Sequence, residues 1–141
     1  MGKKPKVLFL CIHNSCRSQM AEGLVRALRG DEFETYSAGS QPTHVHPLAA
    51  KVMAEEGIDI SLQESKSVTE LGESEFDYIV TLCGELEGAC PFVPGTGRRM
   101  HVPFPDPAKA VGSPQEVLDE FRRVRDMIKG FIVSFPEMPG S

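Results

Sequence analysis

The segment Cys-Ile-His-Asn-Ser-Cys-Arg-Ser, residues 11–18, has the residue types and spacing of an anion-binding loop with a thiol at its centre. It follows the apolar run 7–10 and precedes a helical pattern that begins near Gln19. A buried strand would deliver Cys11 to the edge of a sheet, and the residues up to Arg17 can curl so that backbone N–H groups point inward. The N–H groups and partial positive charge of the following helix N-terminus favour a tetrahedral oxyanion.

The side chains of this loop indicate a nucleophile inside the anion cradle. Arg17 supplies a planar fork of donors that matches two oxygens of an oxyanion. The same positive field favours the thiolate form of Cys11, which is its nucleophilic form. Two simpler interpretations exist for these cysteines. Cys11 could be a small residue of the hydrophobic core, or Cys11 and Cys16 together could form half of a metal site. Arg17 weighs against both, because a permanent cation repels a metal ion and is costly to bury without an anion.

Length and composition restrict the class of protein. A chain of 141 residues with 40% hydrophobic residues fits one domain, 1–141, with a sizeable core and no room for a second. The formal net charge of -5 and the lack of a basic stripe argue against nucleic acid or an anionic membrane as a partner. The apolar run before Cys11 is too short for a signal peptide or a membrane span. We therefore expect a cytoplasmic protein, whose four cysteines are reactive thiols rather than a disulfide framework.

Apolar periodicity predicts an α/β fold. Strands are predicted over 6–10, 33–38, 76–82 and 99–104, and helices over 18–28, 47–56, weakly over 68–71, and after Ser113-Pro114. Near-continuous apolar strands that alternate with helices indicate a single-domain, open, four-stranded parallel sheet with helices on both faces. The active site of such a sheet lies at the carboxyl ends of its strands. Cys11 and Cys83 each follow a predicted strand there, so their sulfurs can approach each other if those strands are neighbours.

Cys83 and Cys90 form a second cysteine pair, seven positions apart. A helix between them would separate them by about 10 Å along its axis, whereas a disulfide needs Cα atoms roughly 5.5 Å apart. Gly84, Gly88 and Pro91 make such a helix easy to melt. We therefore predict that this segment exchanges between a compact reduced form and a looped oxidised form. The alternative is a surface loop with two incidental thiols.

Together these residues resemble the thioredoxin-coupled arsenate reductases, which are built on the low-molecular-weight protein tyrosine phosphatase fold. The resemblance covers essentially the whole chain. The Cys-x5-Arg-Ser loop is shared by phosphatases and reductases, and it is the added Cys83 and Cys90 that point to a reductase. The resemblance implies that Cys11 is the nucleophile, that Asp106 is the general acid, and that Cys83 and Cys90 carry a disulfide relay that thioredoxin re-reduces.

The resemblance also implies the composition of the substrate site. Arsenate would be bound by the loop residues His13, Asn14, Ser15, Cys16, Arg17 and Ser18. Within that loop, Asn14 and Ser18 would orient the backbone and stabilise the thiolate, and Arg17 would bind the oxyanion. No cofactor and no metal are expected. The partners are arsenate and thioredoxin, and the protein is expected to be a monomer.

Two residues depart from the better-known family pattern at charged positions. His13 stands where many members have glycine, so a protonated imidazole there would add positive charge beside the anion. Lys66 stands where some members have an aspartate that helps to hold a potassium ion, together with residues that match Asn14, Glu22 and Ser37. We predict that the ammonium of Lys66 replaces this ion, so that potassium is not required.

A third departure concerns the substrate. Phosphatases of this family usually carry aromatic residues after Asp-Pro to pack a phosphotyrosine ring, whereas Asp106-Pro107 is followed by Ala108-Lys109. This difference speaks against an aromatic substrate. The rival hypothesis is a phosphatase for phosphotyrosine or a small phosphate ester, with the cysteine pair as oxidative protection. A non-catalytic redox sensor or anion-binding regulator is the alternative from another functional class.

Overall fold

The computed structural model describes residues 4–71, 75–84 and 91–137. The described strands are β1 (Lys6–Cys11), β2 (Glu34–Gly39), β3 (Tyr78–Thr81) and β4 (Arg98–His101). The described α-helices are α1 (Arg17–Arg29), α2 (Pro47–Ala54) and α3 (Pro114–Ser134). Two short 3-10 helices cover Val68–Leu71 and Pro107–Lys109. Within these ranges no helix is both long enough and apolar enough to cross a membrane.

The four strands form one parallel sheet in the order β2-β1-β3-β4. β1 lies in the middle of this sheet, and all its residues after Lys6 are buried. Burial on both faces explains why its sequence is continuously apolar rather than alternating. The predicted parallel α/β sheet is therefore confirmed. Since β1 and β3 are neighbours, the residues that follow their carboxyl ends, including Cys83, lie beside each other.

The two faces of the sheet are covered differently. Phe9 and Val80 face the main core, in which α1, α2 and α3 pack together. Leu8 and Ile79 face a smaller cluster that is covered by the 3-10 helix Val68–Leu71. In the described ranges the long α-helices thus all lie on one face. A 3-10 helix takes their place on the other.

Local signals determine where the helices begin. At the start of α3 the Ser113 hydroxyl accepts from the Glu116 N–H, and the Glu116 carboxylate accepts from the Ser113 N–H. This capping box precedes Pro114, which occupies the first helical position where its missing N–H costs nothing. α2 likewise begins at the predicted Pro47, and α1 begins at Arg17, one residue before the prediction. The beginning of α1 is the part that bears on the site, because it places Arg17 at the helix N-terminus.

β4 is shorter than predicted and ends at His101 instead of reaching residue 104. Pro103 has no N–H and therefore cannot continue a regular ladder. The chain nevertheless stays beside β3, because the Val102 N–H donates to the Thr81 carbonyl (2.9 Å) and the Phe104 N–H donates to the Leu82 carbonyl (3.1 Å). This irregular extension carries the chain to Asp106 at the carboxyl edge of the sheet.

Candidate active site

The loop between β1 and α1, residues 12–16, bends sharply against the end of β2. Gly39 pairs with Cys11 at the edge of the sheet. A Cβ at Gly39 would lie 2.4 Å from the Ile12 carbonyl oxygen and 2.7 Å from that of Cys11. Only glycine leaves room for the loop backbone at this distance, so the shape of the loop depends on a residue from another strand.

Asn14 holds the loop in its bend. Its φ of 47° lies in the left-handed region, which asparagine tolerates better than most residues. Its side-chain oxygen accepts from the Lys66 N–H at 2.8 Å, and its amide group donates to the Ser18 hydroxyl at 2.8 Å. The Gln19 amide donates to the Asn14 carbonyl at 3.0 Å. Asn14 therefore connects the loop to the first turn of α1 and to the segment around Lys66.

Cys11 lies beneath this loop in contact with Ser18. The Cys11 Sγ and Ser18 Oγ are 2.8 Å apart, and both residues are buried. Because the Ser18 oxygen already accepts from Asn14, its own hydrogen is available to donate to the sulfur. A hydroxyl that donates to sulfur stabilises the thiolate over the thiol. The geometry thus supports the roles predicted for Asn14 and Ser18.

Arg17 lies at the carboxyl ends of β3 and β4 and is buried, with only 3% of its surface exposed. Its guanidinium donates to the Phe104 carbonyl at 3.0 Å and to the Leu82 carbonyl at 3.4 Å. It also lies 3.7 Å from the Asp106 carboxylate. The Asp106 carboxylate in turn accepts from the Ala108 N–H at 3.0 Å, at the start of the 3-10 helix Pro107–Lys109. The predicted anion binder and the predicted general acid are therefore adjacent.

A cavity of about 230 Å³ opens above the loop. It is lined by His13, Ser15, Cys16, Arg17, Thr43, His44, His46, Asp106 and Ala108. This volume is below the roughly 300–1,000 Å³ of sites for drug-sized ligands, so it suits a small ion. No phenyl or phenol ring belongs to the described part of its wall. Sequence reasoning had assigned His13, Ser15, Cys16, Arg17 and Asp106 to the site and had noted Ala108 after Asp106-Pro107. It had not indicated Thr43, His44 or His46, which lie between β2 and α2.

Cys16 differs from Cys11 in its chemistry. Its side chain belongs to the main core. Burial is the main cause that raises the pKa of the Cys16 thiol, to about 12, although its contact with the Ser15 hydroxyl acts in the opposite direction. Cys16 is therefore a neutral thiol at physiological pH, and it can contribute shape to the cavity but no nucleophile.

Cys83 is fully buried and forms a small cluster with Cys11 and Ile12. The Leu82 N–H donates to the Leu10 carbonyl at 2.9 Å, which sets the two following cysteines beside each other. Cys11 and Cys16 are not joined in a disulfide. Cys90 and the rest of the segment 85–90, in which the switch was predicted, lie outside the described residues.

The Lys66 ammonium does not lie where it was predicted to replace the ion, and the predicted independence of potassium stays a prediction. The Glu22 carboxylate accepts from the Arg26 guanidinium and from the Ser37 hydroxyl, so its cation is Arg26. The Lys66 ammonium donates instead to the Glu64 carbonyl at 3.1 Å. Arg26 lies one helical turn after Glu22 and faces it directly, whereas Lys66 belongs to another segment of the chain.

Among the residues described, no group of three or more His, Cys, Asp or Glu side chains could hold a metal ion.

Comparison with known proteins gives a consistent set of relatives. The chain matches the sequence model of the low molecular weight phosphotyrosine protein phosphatase family over residues 6–135. It is 47% identical to an arsenate reductase of Halalkalibacterium halodurans, over 97% of this chain and 98% of that protein. A solved arsenate reductase in the phosphate binding state superposes with a TM-score of 0.77 and 34% identity, over 92% of this chain and 94% of that one. A thioredoxin-dependent arsenate reductase of Corynebacterium glutamicum superposes with a TM-score of 0.61 and 33% identity, over 92% of this chain and 62% of that one.

Proposed function

The chain belongs to the low molecular weight phosphotyrosine protein phosphatase family, and we propose that it is an arsenate reductase of that family, with thioredoxin as its reductant. The observation that carries this proposal is the burial of Cys11 and Cys83 in one cluster at the ends of adjacent strands. Hydrolysis of a phosphate ester needs one nucleophilic thiol, whereas reduction of arsenate needs two electrons. A second thiol beside the first supplies them by forming a disulfide.

The first step joins arsenate to Cys11. The Cys11 thiolate attacks arsenic and an As–S bond forms, while one As–O bond breaks. Asp106 donates a proton to the departing oxygen, which leaves as water. Arg17 binds the remaining oxygens from its position between the Leu82 and Phe104 carbonyls. The product is a covalent thio-arsenate on Cys11.

The second step reduces arsenic. The Cys83 thiolate attacks the sulfur of Cys11 and an S–S bond forms, so the electron pair of the As–S bond passes to arsenic. Arsenate thereby becomes arsenite and leaves, and Cys11 and Cys83 remain joined in a disulfide. Cys11 is only 2% exposed and Cys83 is 0% exposed, so a protein reductant cannot reach either sulfur. A further thiol must therefore carry the disulfide outward.

We assign that third step to Cys90. Its thiolate attacks Cys83 and releases the Cys11 thiolate, and thioredoxin then reduces the Cys83–Cys90 disulfide by the same exchange. In this proposal the whole chain, residues 1–141, works as one domain and as a monomer. It acts in the cytoplasm, where thiols are kept reduced.

The test is arsenite formation under multiple turnover. We expect turnover with thioredoxin and its reductase, and much less with glutathione and glutaredoxin. Replacing Cys11, Cys83 or Cys90 with serine should abolish it, whereas Cys16→Ser is the matched control that keeps most activity. Cys90→Ser should still release about one arsenite per enzyme and stop as the Cys11–Cys83 disulfide, which intact mass and peptide mapping detect.

Two results would contradict the proposal. Full turnover of Cys83→Ser or Cys90→Ser with thioredoxin would exclude the three-thiol relay. Efficient hydrolysis of a phosphate ester without any arsenite would favour the phosphatase hypothesis. The small cavity and the absence of a phenyl or phenol ring from its described wall speak against that hypothesis for phosphotyrosine.

A further inference from the structure

His46 has no role in the reaction steps above, yet it contacts the loop between β1 and α1, the start of α2, and α3. Its backbone N–H donates to the Ser15 carbonyl of the catalytic loop at 3.1 Å. Its side-chain Nδ1 accepts from the Leu48 N–H at 3.1 Å and so caps α2. Its ring packs on Phe121 of α3, with the ring centres 4.9 Å apart. The same side chain lines the cavity together with Arg17 and Asp106.

The cap determines which nitrogen of His46 carries the proton. A backbone N–H can only donate, so Nδ1 must present its lone pair and the neutral ring carries its hydrogen on Nε2. Burial, followed by the nearby His44, lowers the pKa of His46, whereas the Asp106 carboxylate acts in the opposite direction. The ring is therefore neutral at pH 7, with Nε2–H as its remaining polar group.

His13, on the same cavity, has the opposite arrangement. Its Nδ1 lies 3.1 Å from the Gln41 carbonyl oxygen, which can only accept, so Nδ1 of His13 carries a hydrogen. A neutral His13 therefore presents a lone pair at Nε2, whereas a neutral His46 presents an N–H. Nδ1 of His46 is engaged by α2 and its ring packs on Phe121, while the side chain also lines the cavity, so Nε2 is the polar atom available to a bound ion.

We propose that His46 is a substrate-binding residue, whose neutral Nε2–H donates a hydrogen bond to the outward-facing oxygen of the bound oxyanion. This inference rests on the proposed function and adds a residue to the same site. Arg17 and the loop hold the oxyanion from within, and His46 holds it from the α2 side. A neutral donor near Asp106 does this without removing the proton that Asp106 must give to the departing oxygen.

Two substitutions separate this role from the capping role. His46→Asn keeps a good N-cap, since asparagine is among the best capping residues, but removes the imidazole donor. His46→Ala removes both. We expect the KM for arsenate and the inhibition constant of inorganic phosphate to rise roughly 10-fold in both variants, as for the loss of a hydrogen bond to a charged group, with kcat within about twofold. Thermal stability should fall further in His46→Ala, which loses the cap in addition to the packing on Phe121 that both variants lose.

Other patterns would overturn the inference. An unchanged KM and phosphate inhibition in His46→Asn would reduce His46 to a helix cap. A lower kcat with a shifted pH profile and an unchanged KM would mean that His46 acts through Asp106 and does not bind the oxyanion. Direct calorimetric binding of inorganic phosphate tests His46 even if the wild-type protein forms no arsenite, so failure of the inference and failure of the proposed function are distinguishable.

Discussion

Ser18→Ala is the most direct test of how Cys11, the proposed nucleophile, is activated. In the structure the Ser18 hydroxyl accepts from the Asn14 amide at 2.8 Å and lies 2.8 Å from the Cys11 sulfur. The substitution removes the Ser18 hydroxyl from that sulfur with a minimal change in side-chain volume, because serine and alanine differ by a single oxygen. The Asn14 amide also loses its acceptor, so the orientation of the loop is tested at the same time.

The expected magnitude follows from burial. Hydrogen bonds to charged groups are worth about 1.5–3 kcal/mol, and this one is shielded from water because Ser18 is fully buried and Cys11 is 2% exposed. Since 1.4 kcal/mol corresponds to a factor of about ten, loss of this hydrogen bond should slow the alkylation of Cys11 roughly 10- to 100-fold.

The assay is the second-order rate of iodoacetamide alkylation at Cys11 in mildly acidic buffer, followed by peptide mass. Ser15→Ala is the matched control, since its hydroxyl lies in the same loop but contacts the Cys16 thiol (3.9 Å). We expect that control to react like the wild type, and all three proteins to react alike in concentrated urea. Equal folded-state rates for wild type and Ser18→Ala would refute the proposed activation by Ser18.

Three further predictions follow from other contacts. Gly39→Ala places a Cβ 2.4 Å from the Ile12 carbonyl oxygen. We therefore expect the free energy of unfolding in urea to fall by about 1–3 kcal/mol, and the rate of arsenate reduction to fall by a larger factor than this loss of stability explains. A fully active variant would contradict this, since it would show that the loop tolerates the displacement. Hydrogen bonding to Arg122 lowers the pKa of Glu55 to about 2, so its contribution to stability is complete above pH 4.5 and lost as the pH falls towards 2. Glu55→Gln should accordingly destabilise the protein at pH 7 and match the wild type near pH 2, and a constant difference in urea midpoints would contradict this. Because burial raises the pKa of Cys16 to about 12, peptide mapping should find it unmodified by iodoacetamide at pH 7 while Cys11 reacts.

Several features of the fold could be predicted from short stretches of sequence because their causes are local. The apolar run of β1 predicted a strand buried on both faces, and Ser113-Pro114 predicted the start of α3, where the structure shows a capping box. The spacing from Cys11 to Arg17 predicted a loop that ends at a helix N-terminus. The length of β4 was less predictable, since Pro103 breaks the ladder while the chain continues beside β3.

The site required contacts between residues far apart in the chain. Sequence spacing placed Cys11 and Cys83 at the ends of two strands, but only the order β2-β1-β3-β4 placed those strands side by side. Lys66 was predicted to supply the positive charge at the site that includes Glu22, whereas the structure pairs Glu22 with Arg26. Both residues are cations, so only packing selects between them. His46 gave no signal beyond its place before a proline.

The sequence by itself determined the chemistry available to this protein: a thiol, an arginine and a helix N-terminus within one loop, and two further cysteine thiols, which donate electrons when they form a disulfide. Residue type and spacing are sufficient for that, because loop curvature and helix capping act over a few residues. The tertiary structure alone decided the burial of Cys83 beside Cys11, the carbonyls that hold Arg17, and the imidazole of His46 at the cavity. These depend on how strands and helices pack, and packing is set by the summed burial of residues distant in the chain.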